Sequence, residues 1–130
     1  VAELPTGSGE LILVVEDDDR VRRLTVTRLK QLGYEVVEAE NGPRALEMLA
    51  VHSSIQLVFT DLVMPGGMSG YDVCEQVRKN WPGKLVLLTS GYAEELTHGD
   101  KLVSENLTIL RKPYRRSALA QAIARMFEKQ

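Results

Sequence analysis

Residues 11–19 read Leu-Ile-Leu-Val-Val-Glu-Asp-Asp-Asp. Five apolar residues in a row suit a strand covered on both faces, as in a parallel sheet. The four acids that follow mark the end of that strand. Asp19 is positioned to cap a helix over about 20–32, with Val21, Leu24 and Leu29 facing inward and Gly33 as its stop. The same alternation then repeats. Strands are expected at 34–39, 56–60, 84–90 and 107–110. Helices are expected at about 43–51, 71–80, 92–103 and 115–128. The last helix is the clearest, with Leu119, Ala122, Ile123, Met126 and Phe127 at i, i+3, i+4, i+7 and i+8.

Five strand–helix pairs with short buried strands imply a parallel sheet with helices on both faces. Right-handed crossovers leave few ways to wind it. The expected fold is α/β, a flavodoxin-like doubly wound sheet of five strands in the order 2-1-3-4-5, with five helices.

The chain has 130 residues, which suits one domain. Hydrophobic residues make up 44% and charged residues 26%, ordinary values for a globular chain. Lys plus Arg number 16 and Asp plus Glu 18, a net charge of −2, so no basic excess points to nucleic acid or an anionic membrane. The single cysteine, Cys74, excludes an internal disulfide, which fits a reducing compartment. No apolar run approaches a membrane span, and no basic-then-apolar leader opens the sequence. A cytoplasmic location is the expectation. Residues 1–9 hold Pro5, Thr6, Gly7, Ser8 and Gly9 and read as a linker or leader, with one folded domain over 10–130.

In such sheets ligands sit beyond the carboxyl ends of the strands. Those ends hold Glu16 to Asp19, Thr60 and Asp61, Thr89 and Ser90, and Arg111 to Pro113. Two carboxylates about 5 Å apart repel by about 3 kcal/mol at an effective dielectric near 20. A positive charge must sit among them, or one must take up a proton. Hard oxygen ligands suit Mg2+ with phosphate as co-ligand. No His or Cys stands at metal-ligand spacing, so zinc is not expected. Lys112 and Thr89 would face the oxygens of a phosphoryl group, and a carboxylate, a cation and a lysine around one phosphoryl form a phosphotransfer site.

EDDD after LILVV, D after LVFT, TS after LVLL and KP after LTIL together resemble the receiver domain of two-component response regulators. The resemblance covers about residues 10–128. LLTSGYA and VVEDDDRVR are similar to receivers attached to hybrid sensor histidine kinases. The resemblance implies that Asp61 takes a phosphoryl group from a phosphohistidine, with Mg2+ as cofactor. It implies that Asp17 and Glu16 hold Mg2+, together with Asp61 and the backbone carbonyl of Val63. Thr89 and Lys112 would contact phosphoryl oxygens, and the Lys112–Pro113 bond would be cis. The domain would be a phosphoacceptor, not a true enzyme, although its parent chain could be a hybrid kinase. The implied partner is a histidine kinase or a phosphotransfer domain, docking near helix one and the loop after strand five. The domain itself would contact neither nucleic acid nor membrane, and receivers also form homodimers.

Three positions depart from the commonest family pattern. The loop 64–70 carries one residue more than usual, with three glycines. Ile109 stands where the family often has Tyr or Phe. Val63 and Gly91, two residues past Asp61 and Thr89, carry no polar side chain to position an attacking water, so a comparatively long-lived acyl phosphate is expected.

Other readings weigh against these. Asp18 and Asp19 suit helix capping. Cys74 suits a buried small residue, His52 and His98 surface positions, Met64 and Met68 loop packing, and Tyr114 a contact with the last helix. A Mg2+-dependent phosphohydrolase would want a second acid at Val63. A nucleotide or flavin binder would want a glycine-rich loop after strand one, where acids stand instead. A degenerate receiver that only binds proteins would not need every phospho-site residue type.

Overall fold

The computed structural model describes residues 4–91 and 105–128. Strand β1 (Leu11–Val15) is buried from Ile12 to Val15, each no more than 2% exposed. Successive side chains of a strand point to opposite faces, so both faces need cover. Ile12 and Val14 pack on one face with Leu57, Phe59 and Leu87, and Leu13 and Val15 pack on the other with Ile55 and Val58.

The other strands are β2 (Glu35–Ala39), β3 (Ile55–Asp61), β4 (Leu85–Ser90) and β5 (Thr108–Arg111). All pair in parallel, in the order β2-β1-β3-β4-β5. The helices are α1 (Asp19–Gln31), α2 (Gly42–Val51), α3 (Gly70–Asn80) and α4 (Arg116–Glu128). Helices α1 and α4 cover the Ile12 face, and α2 and α3 cover the Leu13 face. The expected order and class are therefore observed, with four helices among the described residues. The helix expected over 92–103, and His98 within it, lie outside the described residues.

Helix α1 corrects two expectations. Its cap is Asp18, whose carboxylate accepts from the backbone N–H groups of Arg20 (2.9 Å) and Val21 (3.1 Å). Asp19 is the first helical residue. The buried face is Thr25, Val26 and Leu29, whereas Val21 is 41% and Leu24 51% exposed. Leu24 lies about 140° round the helix from Leu29, so one cannot be buried with the other. Thr25 takes its place because its hydroxyl donates to the Val21 carbonyl at 2.9 Å, leaving no unpaired donor in the core.

Helix α3 starts with a capping box in which Ser69 and Asp72 satisfy each other's backbone N–H groups. Cys74 is buried on this helix. Met64 is buried and Met68 lies beside Gly42, both packing the α2/α3 face. Tyr114 sets its ring edge-on to Phe59 on the α1/α4 face, with centroids 6.4 Å apart. His52 caps the end of α2 and is exposed.

Residues 4–10 run along the turn between α1 and β2. Gly7 and Gly9 donate to the carbonyls of Leu32 (2.6 Å) and Gly33 (2.9 Å), and Leu4 packs against the core. Gly33 ends that turn with φ +95, a conformation side chains disfavour.

Gly70 sets the distance between α3 and β3. A Cβ there would lie 1.9 Å from the Asp61 carbonyl oxygen. Gly70→Ala should therefore force the α3 start away from the end of β3. The expected loss is about 2 kcal/mol or more, as for overpacking against backbone. Urea denaturation measures it; a variant as stable as wild type would contradict the close approach.

Candidate functional site

Parallel pairing brings the ends of β1, β3, β4 and β5 to one edge. Asp61, the last residue of β3, is the direct cross-strand partner of Thr89 on β4. Glu16 follows β1, and its backbone N–H continues the ladder to Ala39 of β2 at 3.1 Å. Lys112 follows β5, its backbone N–H donating to the Ser90 carbonyl at 2.8 Å. The Lys112–Pro113 bond is cis.

The side chains converge from these anchors. The Lys112 ammonium donates to Asp61 Oδ2 at 2.7 Å. The other oxygen, Oδ1, accepts from the backbone N–H of Val63 at 3.3 Å. Glu16, Asp17 and Asp61 each offer a carboxylate oxygen within 4.8 Å of the others. Glu16, Asp61 and Thr89 are buried, Asp17 is exposed and Val63 is 47% exposed. Every residue expected at the site is thus at this edge. Asp18 and Asp19 face the helix instead, as cap and as partner of Arg22. Ser90, next to Thr89, is fully buried, and its hydroxyl has no partner among the described residues. Two positions were not anticipated: Gly70, whose missing side chain admits the Asp61 backbone, and Arg22, which donates to the Glu16 carbonyl at 2.8 Å. A sequence signal for the Arg22–Asp19 pair is their i, i+3 spacing.

Burial pushes the Glu16 carboxyl up to about 7. The Asp18 N–H opposes this, and the neighbouring Asp17 and Asp61 carboxylates add to it. Burial alone would lower the Lys112 ammonium, but the Asp61 hydrogen bond and charge more than offset it, and its pKa is raised. A single ammonium therefore does not neutralise the edge. Among the described residues, the donors that converge are all carboxylate oxygens, with no His or Cys among them. That hard set suits a small divalent cation such as Mg2+. The depression beneath Glu16, Asp61, Thr89 and Lys112 has about 20 Å³ of free volume. A nucleotide or flavin needs roughly 300 Å³ or more.

Residues 12–124 match the family model of the response regulator receiver domain. The chain belongs to that family. The receiver is 35% identical over 120 residues to the sensor kinase CckA of Brucella abortus, covering 92% of this chain and 13% of the kinase. It is 35% identical over 116 residues to the uncharacterized transcriptional regulatory protein YrkP of Bacillus subtilis, covering 88% of this chain and 48% of that protein. The chain thus spans less than half the length of either relative. Among solved structures, a receiver domain protein from Clostridium thermocellum superposes with a TM-score of 0.84 at 27% identity, covering 92% of this chain and 94% of that one. The response regulator TrrA of Thermotoga maritima, in complex with Mg(2+)-BeF, gives 0.79 at 29% identity, covering 90% and 98%. No described helix is long and apolar enough to cross a membrane.

The raised Glu16 pKa has a stability consequence. A carboxyl that holds its proton more tightly when folded favours the folded state at low pH. Its contribution is fully present below about 4.5 and is lost as pH rises through about 7. Metal-free protein should lose stability between about pH 5 and about pH 8 relative to Glu16→Gln. Urea midpoints in a chelator would check this; parallel pH profiles for the two proteins would contradict it.

Proposed function

We propose that this receiver accepts a phosphoryl group on Asp61 from a phosphohistidine, in a Mg2+-dependent reaction. The observation that carries the reading is the Asp61 carboxylate itself. It is held by the Lys112 ammonium on one oxygen and lies beside two further carboxylates that demand a cation.

The steps follow from the residues. An Asp61 oxygen attacks phosphorus, an O–P bond forms and the N–P bond to the donor imidazole breaks. The imidazole nitrogen leaves with the bonding pair. The Lys112 ammonium, already 2.7 Å from the carboxylate, would donate to one phosphoryl oxygen. Thr89, opposite Asp61 on the next strand, would donate its hydroxyl to another. Mg2+, held by Glu16, Asp17, Asp61 and the Val63 carbonyl, would offset negative charge on the phosphoryl oxygens. Water later hydrolyses the acyl phosphate, returning Asp61 and inorganic phosphate.

The donor would be a histidine kinase or a phosphotransfer domain. Exposed Val21, which lines the depression at the site, and exposed Leu24 one turn further along α1 would give the donor an apolar contact, and Val63 would add a third exposed apolar side chain. Residues 10–130 would form the receiver and residues 1–9 its lead-in. The domain would act in the cytoplasm, as the receiver of a hybrid kinase or of a separate regulator. Its output would pass through another domain, another chain (a second copy included) or relay of the phosphoryl group, not through nucleic acid or membrane contact of its own.

Incubation with Mg2+ and acetyl phosphate should add one phosphoryl group to the intact mass of the wild-type chain and none to Asp61→Asn. Equal labelling of both would remove Asp61 from the role. Val63→Asn should shorten the lifetime of the phosphorylated state, because an amide there can orient water; an unchanged lifetime would remove that position from control of hydrolysis.

A further inference from the structure

Arg22 sits in the first turns of α1, yet its side chain is only 13% exposed. Its guanidinium is used in three directions. Nε meets Glu38 of β2 at 3.1 Å, Nη1 donates to the backbone carbonyl of Glu16 at 2.8 Å, and Nη2 meets Asp19 at 2.5 Å. Burial disfavours its charge, but the Asp19 and Glu38 carboxylates more than restore it.

Glu16 is consequently fixed at three points. Its N–H is bound to Ala39, its carbonyl to Arg22, and its Oε2 accepts from the Asp18 N–H at 3.0 Å. It opens a run of four consecutive acids, which repel one another. Arg22 ties it to the end of β2 and to the helix.

We propose that Arg22 is a positioning residue for the cation-binding carboxylates. Its three-way grip on Glu16, Asp19 and Glu38 holds the turn so that Glu16 and Asp17 converge on Asp61. The inference rests on the reading of that cluster as a cation site. As a charge, Arg22 repels a neighbouring cation, so removing it would tighten binding. As a positioning group, removing it loosens the ligand set and weakens binding. The two accounts predict opposite signs. Lysine cannot replace the grip, because an ammonium is a point charge without the planar fork.

The test is calorimetric titration of the metal-free chain with Mg2+ alone, for wild type, Arg22→Gln and Arg22→Lys. Arg22→Gln should raise the dissociation constant about tenfold, the scale seen when a partner of a metal ligand is lost. Arg22→Lys should also bind more weakly than wild type, despite keeping its charge. Circular dichroism of the metal-free proteins checks folding. If Arg22→Gln does not fold, Arg22→Lys decides: weakened binding supports the role, and wild-type affinity overturns it. Arg22→Gln binding as tightly as wild type, or more tightly, overturns it too. A wild-type chain that takes up no Mg2+ would sink the cation site and this inference together. Intact wild-type binding with unaltered variants would sink only Arg22.

Discussion

Carboxylates held together against their own repulsion dominate this molecule. Glu16, Asp17 and Asp61 bring oxygens within 4.8 Å of one another. At an effective dielectric near 20, two fully ionised carboxylates at that separation would repel by about 3 kcal/mol. The fold tolerates this in two visible ways. Lys112 pairs with Asp61, and Glu16 keeps a proton up to about 7. Neither fully answers the repulsion once Glu16 ionises. The edge therefore suits a small divalent cation, which is the ligand the proposed phosphotransfer calls for.

The sheet supplies the rigidity that such an arrangement needs. Asp61 ends one strand and Thr89 lies in register on the next, so their separation is set by the ladder and not by a flexible loop. Glu16 and Lys112 each extend a ladder by one backbone hydrogen bond before their side chains turn toward Asp61. Small residues and salt links complete the frame. Gly70 lets α3 touch the Asp61 backbone, and Arg22 binds the acidic turn to β2.

Much of the fold was legible. The run LILVV, the alternation of buried strands with amphipathic helices, and the turn residues between them led to the class, and right-handed crossovers left the strand order among few alternatives. All of these are local or periodic signals. The misreadings were geometric. Asp18 caps α1 where Asp19 was expected, because one residue's shift in the helix start is invisible in a run of identical acids. Val21 and Leu24 were assigned to the core on hydrophobicity, yet the helix turns them outward and buries Thr25, whose hydroxyl bonds to its own backbone.

The sequence by itself determined which chemical groups end each strand, since a strand's length and its terminal residues are written in consecutive letters. It determined too that acids, a hydroxyl and a lysine would share the carboxyl edge, once parallel winding was accepted. Only the tertiary structure decided how those groups meet: Lys112 on one oxygen of Asp61, the Val63 N–H on the other, and Arg22 across Glu16, Asp19 and Glu38. Such contacts join residues from different strands and helices. Their geometry depends on register, rotamer and helix rotation, and no local pattern of letters encodes these.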